Sequence, residues 1–84
     1  MSDDRDRLAE IRLIVAHAVG LSPADMADDV DLLTTFAADW RDIGRALETI
    51  RQKYGVTIAR EELGEPPTIA SIYRAAARHA GWAT

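Results

Sequence analysis

The sequence predicts an all-α fold, a bundle of three long helices plus one or two short ones. Three observations lead there. Apolar residues recur at helical spacing in three separate stretches. Each stretch is bracketed by residues that start and stop helices, Asp or Thr before it and Gly after it. Extended patterning is confined to Val56-Thr57-Ile58, too short for a credible sheet.

The first helix is expected from about Asp4 to Val19. Leu8, Ile11, Val15 and Val19 fall on one face, and Ile14 and Ala18 widen it. Asp3 and Asp4 suit the positive end of the helix dipole, and Gly20 suits its left-handed stop. Ser22-Pro23-Ala24-Asp25 then reads as a single helical turn, with serine at the N-cap and proline at the first helical position. A long acidic connection follows. Such a loop is uncommon in a compact domain unless it is tied down, and Val30, Leu32, Leu33 and Phe36 are the expected apolar ties. The second long helix begins at the Asp39 cap, with Asp42 three residues on, and ends at Lys53 or Tyr54 before Gly55. Ile43, Leu47, Ile50 and Tyr54 form its buried stripe, with Ala46 beside it. One turn is expected over Arg60 to Leu63, stopped by Gly64. Thr68 caps the last helix, which runs through Ile69, Ile72, Tyr73 and Ala76 to about Ala80. Gly81 closes it, with Trp82 folding back as the apolar partner of a Schellman cap.

The bulk numbers bound the function. The chain has 84 residues, which makes residues 1–84 one domain near the small end for a self-sufficient core. Hydrophobic content of 48% argues against disorder. Cysteine is absent, which excludes disulfides, thiolate zinc sites and a thiol nucleophile. A net charge of −4 argues against nucleic-acid binding, because phosphate contacts need a basic surface. The charged N-terminal stretch has no apolar run behind it, and no segment is long enough to span a bilayer. A cytoplasmic location without membrane association is the resulting default.

The order and spacing of these pieces resemble the acyl carrier proteins, small helical domains that hold a substrate on a phosphopantetheine arm. Gly20-Leu21 ends the first helix, and an acidic loop leads to Asp31-Leu32-Leu33-Thr34-Thr35-Phe36, where the family has a polar residue, apolar anchors and Leu-Gly. Asp39 matches the aspartate of the family's Asp-Ser-Leu attachment motif. Leu47, Ile50, Tyr54-Gly55-Val56 and Ile58 match the apolar ending of its second helix. Glu61-Glu62-Leu63 resembles its acidic third helix, and Thr68-Ile69 the Thr-Val that opens its fourth. The resemblance covers nearly the whole chain and implies an acyl-carrier-protein-like bundle.

The departures gather on one helix. Trp40 takes the serine slot and Arg41 the leucine slot. An indole cannot form the phosphodiester, so no prosthetic group is expected. Arg41, Arg45, Glu48 and Gln52 point away from the core stripe at about 100° per residue. Arg41 and Arg45 form a like-charge i,i+4 pair that would repel the basic patches through which family enzymes meet carriers. Arg41, Arg45 and Arg51 either receive an acidic partner or a phosphate, or form a solvated face balanced by Asp39, Asp42 and Glu48. Trp40 lies about 50° from the stripe centre on the helical wheel. It reads as a boundary residue, a partner anchor or a plug in the groove where related carriers shelter an acyl chain. Gly44, on the same flank, allows close approach of a partner, a ligand or the fold's own backbone, and costs about 1 kcal/mol relative to alanine.

Other chemistry is poorly served. Ser2, Ser22 and Ser71 are the candidates for a displaced attachment site, and none follows an aspartate at the start of the second helix. Asp28, Asp29 and Asp31 lack calcium-loop spacing and read as a solvated acidic loop. His17 and His79 have no His or Cys partner at ligand spacing and read as surface or boundary residues, while Tyr54 and Tyr73 read as core. No nucleophile stands with a base, so an enzyme is not expected. The expected function is that of a carrier-like domain without the arm. It binds protein partners of fatty-acid, polyketide or peptide biosynthesis through Trp40, Arg41, Gly44, Arg45, Glu48 and Arg51. The alternatives are a working carrier with a displaced site, which would bear 4′-phosphopantetheine, and an unrelated helical adaptor.

Overall fold

The chain was analysed as a computed structural model, which describes residues 3–35 and 38–82. Phe36 and Ser2 lie outside the described residues, as do the side chains of Asp3 and Asp4. Four α-helices and no strand occur among the described residues: α1 (Asp3–Val19), α2 (Leu32–Thr35), α3 (Trp40–Tyr54) and α4 (Ile69–Ala80). Two 3₁₀ turns, Pro23–Asp25 and Arg60–Leu63, complete the order. The three long helices and both short turns stand where the residue pattern puts them.

Local chemistry sets the helix ends. The Asp39 carboxylate accepts from the Asp42 N–H at 3.0 Å, and Asp42 returns a bond from the Asp39 N–H at 3.2 Å. Together they satisfy two of the donors that a helix start leaves orphaned. Thr68 and Ser71 do the same for α4, each side chain accepting the other's backbone N–H at 3.0 and 2.9 Å. Ser22 caps the first short turn, ahead of Pro23. At the other ends Gly20, Gly55 and Gly81 adopt left-handed backbone. Leu21 N–H reaches back to the Ala16 carbonyl at 2.9 Å and Trp82 N–H to that of Ala77 at 3.0 Å, the long-range bond of a Schellman motif.

The core is aliphatic. Ile11, Val15, Ala16, Leu32, Ile43, Ala46, Ile50, Ile69 and Ile72 are fully buried. α1 packs most extensively on α3 and next on α4, while the Arg60–Leu63 turn lies on α4. The radius of gyration, 11.5 Å, matches the ~12 Å of a compact folded chain of this length. In the predicted stripes Leu8, Val19 and Leu47 are half-buried, while Ala16, which the stripe left out, is fully buried. Tyr54 and Tyr73, expected in the core, are half-buried at its rim. Trp82 packs edge-on to Tyr54, with ring centroids 4.9 Å apart, and tilted on Tyr73 at 5.7 Å. Aromatic rings favour such arrangements over face-to-face stacking.

The connection between α1 and α3 corrects the sequence reading in two ways. It contains α2, whose first turn is capped by the Asp31 carboxylate accepting from Leu33 N–H at 2.9 Å and Thr34 N–H at 3.3 Å. It is also held by polar ties as well as by the buried Leu32. Asp28 pairs with Arg12 of α1, its carbonyl accepts from Ala70 N–H at 2.9 Å, and Leu32 N–H donates to the Pro67 carbonyl at 3.1 Å. The segment 28–31 is therefore not simply a solvated acidic loop. Asp28 and Asp31 are half-buried structural groups, and Asp29 alone of the three is exposed.

Candidate functional site

The candidate site is built on the start of α3. The capping box holds the first turn and places Trp40 at the first helical position. Its half-buried indole packs against the core and lines two clefts. One, of about 380 Å³, is lined by Trp40, Arg60, Glu61, Gly64 and Glu65. The other, of about 340 Å³, runs from Asp31, Leu33 and Thr34 past Trp40 to Pro66 and Pro67. The Arg60 guanidinium lies 3.9 Å from the indole centroid, a cation–π contact that covers one face of the ring. Part of the Trp40 side chain thus rests on the core and part lines open clefts.

Arg41, Gly44, Arg45, Glu48 and Arg51 are all exposed along α3, as the helical wheel requires. The structure brings them onto one surface but does not leave it basic. Arg45 pairs with Asp42, and its guanidinium also donates to the Ala18 carbonyl in the last turn of α1, at 3.4 Å. Arg51 grips Glu48 with two bonds, one from Nε at 3.0 Å, and Gln52 adds another at 3.3 Å. Those Arg51 hydrogen bonds hold the Glu48 carboxyl below the usual carboxylate range. Of the three arginines, Arg41 alone makes no ion pair among the described residues. Of the two readings of these arginines, the balanced face holds for Arg45 and Arg51, paired with Asp42 and Glu48, and the repulsive basic face is corrected to one of alternating, mostly paired charges.

Gly44 also resolves. A Cβ built there meets no atom within 4 Å, so close packing within the fold does not explain the glycine. On the other flank of α3, between α1 and α3, a cleft of about 540 Å³ is lined by Leu13, Ile14, His17, Ala18, Arg45 and Thr49. Leu13 is 52% exposed in the middle of a helix, an apolar contribution that the sequence reading did not single out.

The remaining candidates fall outside this surface. Ser71 is buried, and its hydroxyl both caps α4 and donates to the Thr68 carbonyl at 2.9 Å. Ser22 is exposed, with its oxygen on the Ala24 N–H. His17 is exposed and lines the α1/α3 cleft. His79, also exposed, contacts the Glu62 carboxylate at 2.7 Å and so ties α4 to the second 3₁₀ turn. The Ala59 N–H, bonded to Glu62 at 2.8 Å, and then His79 hold that carboxyl below its ordinary range. No group of three or more His, Cys, Asp or Glu side chains is placed to hold a metal ion among the described residues. No described helix is long and apolar enough to cross a membrane.

Sequence reasoning missed Arg60, Glu61 and Glu65, which surround Trp40. Only the turn signals at Gly64 and Pro66-Pro67 hinted that the chain doubles back there. A scan against models of known protein families finds no match, and a search of curated proteins finds none either.

Proposed function

We propose that this chain is an acyl-carrier-protein-like domain that bears no phosphopantetheine arm and acts by binding protein partners. The observation that carries the proposal is the start of α3. An aspartate caps the helix, as in the attachment motif that the sequence resembles, and the next position holds an indole under a guanidinium instead of a hydroxyl. No phosphodiester can form there. The partner face comprises Trp40, Arg41, Gly44, Arg45, Glu48 and Arg51. Trp40 and Arg41 supply residue types enriched among interface hot spots. Gly44 leaves open space for close approach, and the exposed Leu13 extends the face across α1. The domain is not an enzyme in this reading, and its partners belong to fatty-acid, polyketide or peptide biosynthesis.

The experiment is coexpression with a broad-specificity phosphopantetheinyl transferase, followed by intact-protein mass spectrometry beside a control carrier. The expected spectrum shows unmodified protein. One specific observation keeps a second reading, a carrier with a displaced site, in play: Ser22 is exposed on a short turn. An added arm that is lost in Ser22→Ala would establish that reading and end the first.

A further inference from the structure

We propose that the C-terminal end of α4, with Arg74, Arg78 and Trp82, docks a carboxylate-rich helical segment of a partner protein. This surface is separate from the start of α3, and the proposal does not depend on the carrier reading.

Within a chain of net charge −4, the charged side chains that line one cleft on α4 are both cationic. A cleft of about 470 Å³ is lined by Tyr73, Arg74, Ala77, Arg78 and Trp82, with no carboxylate among them. Arg74 and Arg78 are exposed, and neither makes an ion pair among the described residues. Arg78 does act on Glu62 through its charge, but that carboxylate is already engaged by the Ala59 N–H and by His79. A third cation, Arg7 of α1, lies 4.9 Å from the centroid of the Trp82 ring. Trp82 is fixed in turn by its bond to the Ala77 carbonyl and by Tyr54 and Tyr73. The surface thus presents two unpaired guanidinia one helical turn apart, beside a held aromatic wall. Arg, Trp and Tyr are the residue types that concentrate binding energy at protein interfaces.

The chemistry selects the occupant. Arg74 and Arg78 sit at i and i+4, with Cβ atoms about 5–6 Å apart, a spacing that two carboxylates one turn apart on a partner helix can match. Arginine forks bind carboxylate and phosphate alike, but two forks one helical turn apart match two separate carboxylates better than one compact phosphate. A nucleic acid needs many phosphate contacts along a continuous basic surface, which two arginines do not supply. Carboxylates spread along a helix, with an apolar side chain between them for Trp82, fit the cleft better than either.

The test is selection of a displayed library of helical peptides on the whole chain, with counter-selection on the Arg74→Glu/Arg78→Glu double variant. Enriched peptides are expected to carry carboxylates a turn apart around an apolar residue. They should shift the Trp82 indole N–H resonance and lose about tenfold or more in affinity for Arg74→Gln/Arg78→Gln. Circular dichroism checks that both variants fold. No enrichment, enrichment of basic or wholly apolar peptides, or equal binding to the glutamine variant would overturn the proposal. So would displacement of the peptides by inorganic phosphate or a short single-stranded oligonucleotide that binds the same residues more tightly.

Discussion

Replacing Gly44 with alanine should stabilise the protein. Gly44 lies in the second turn of α3, outside the left-handed backbone region, and its added Cβ meets no atom within 4 Å. The substitution therefore brings neither clash nor backbone strain. What remains is helix propensity, which favours alanine over glycine by about 0.8–1.0 kcal/mol in a helix interior. Much of that gain comes from the narrower conformational freedom of the unfolded chain. The methyl group is exposed, so burial adds little. For a domain of this size a gain of about 1 kcal/mol raises Tm by roughly 4–8 °C. Urea unfolding should show a higher midpoint at an unchanged slope, since the area exposed on unfolding barely changes. A lower or unaltered Tm would refute the reasoning, because it would mean that the site is not open. If Gly44 is glycine because a partner approaches it, the stabilised variant binds that partner less well.

Other perturbations have equally definite outcomes. Asp28→Asn should cost about 1–2 kcal/mol in urea unfolding, between the values for exposed and buried pairs, because it deprives the partly buried Arg12 of its counter-charge. Thr68→Ala removes the α4 cap and should cost about 1 kcal/mol, with early fraying of α4 amides in hydrogen exchange. Trp82→Ala should cost about 2 kcal/mol, half the value for a fully buried tryptophan, and should abolish the ring-current shifts on Tyr54 and Tyr73 in NMR spectra. Asp31 and Glu62 titrate below their ordinary ranges, Asp31 through hydrogen bonds from Thr34 and Leu33 and Glu62 chiefly through the Ala59 N–H. A carboxyl depressed in the folded state stabilises fully above its unfolded pKa, about 4, and that contribution is lost as pH falls through the lower folded value. Asp31→Asn and Glu62→Gln should therefore flatten the fall in stability below about pH 4, as read from urea midpoints across acid pH.

What could be read in the sequence was chemistry that acts within one turn. Asp39 with Asp42, Ser22 before Pro23, and Gly20, Gly55 and Gly81 after apolar runs all mark helix ends, because each satisfies backbone groups a few residues away. Thr68 was legible for the same reason. Its return partner Ser71 was not, since serine is a less familiar residue at that position than glutamate or glutamine. The polar ties of the long connection join residues remote in sequence, such as Arg12 with Asp28 and Asp28 with Ala70, and no local pattern announces them. The same holds for Arg60 over Trp40. The helical wheel put Arg41, Arg45 and Glu48 correctly on the solvent side. The sequence offered Asp39, Asp42 and Glu48 as balancing charges but not which arginine each would pair with, because pairing depends on rotamers and not on angular position alone.

Trp40 remains the residue on which the functional account turns. Trp40→Ser, which restores a hydroxyl after Asp39, should still be modified poorly by a phosphopantetheinyl transferase, because Arg41, which makes no ion pair among the described residues, stands in the leucine slot of the motif. Ready modification of that variant would show that the serine was all that was missing. The most direct measurement is the intact mass of the unaltered chain after coexpression with an active transferase that modifies a control carrier to completion. The expected mass is that of the bare polypeptide. A species heavier by one phosphopantetheine arm would contradict it.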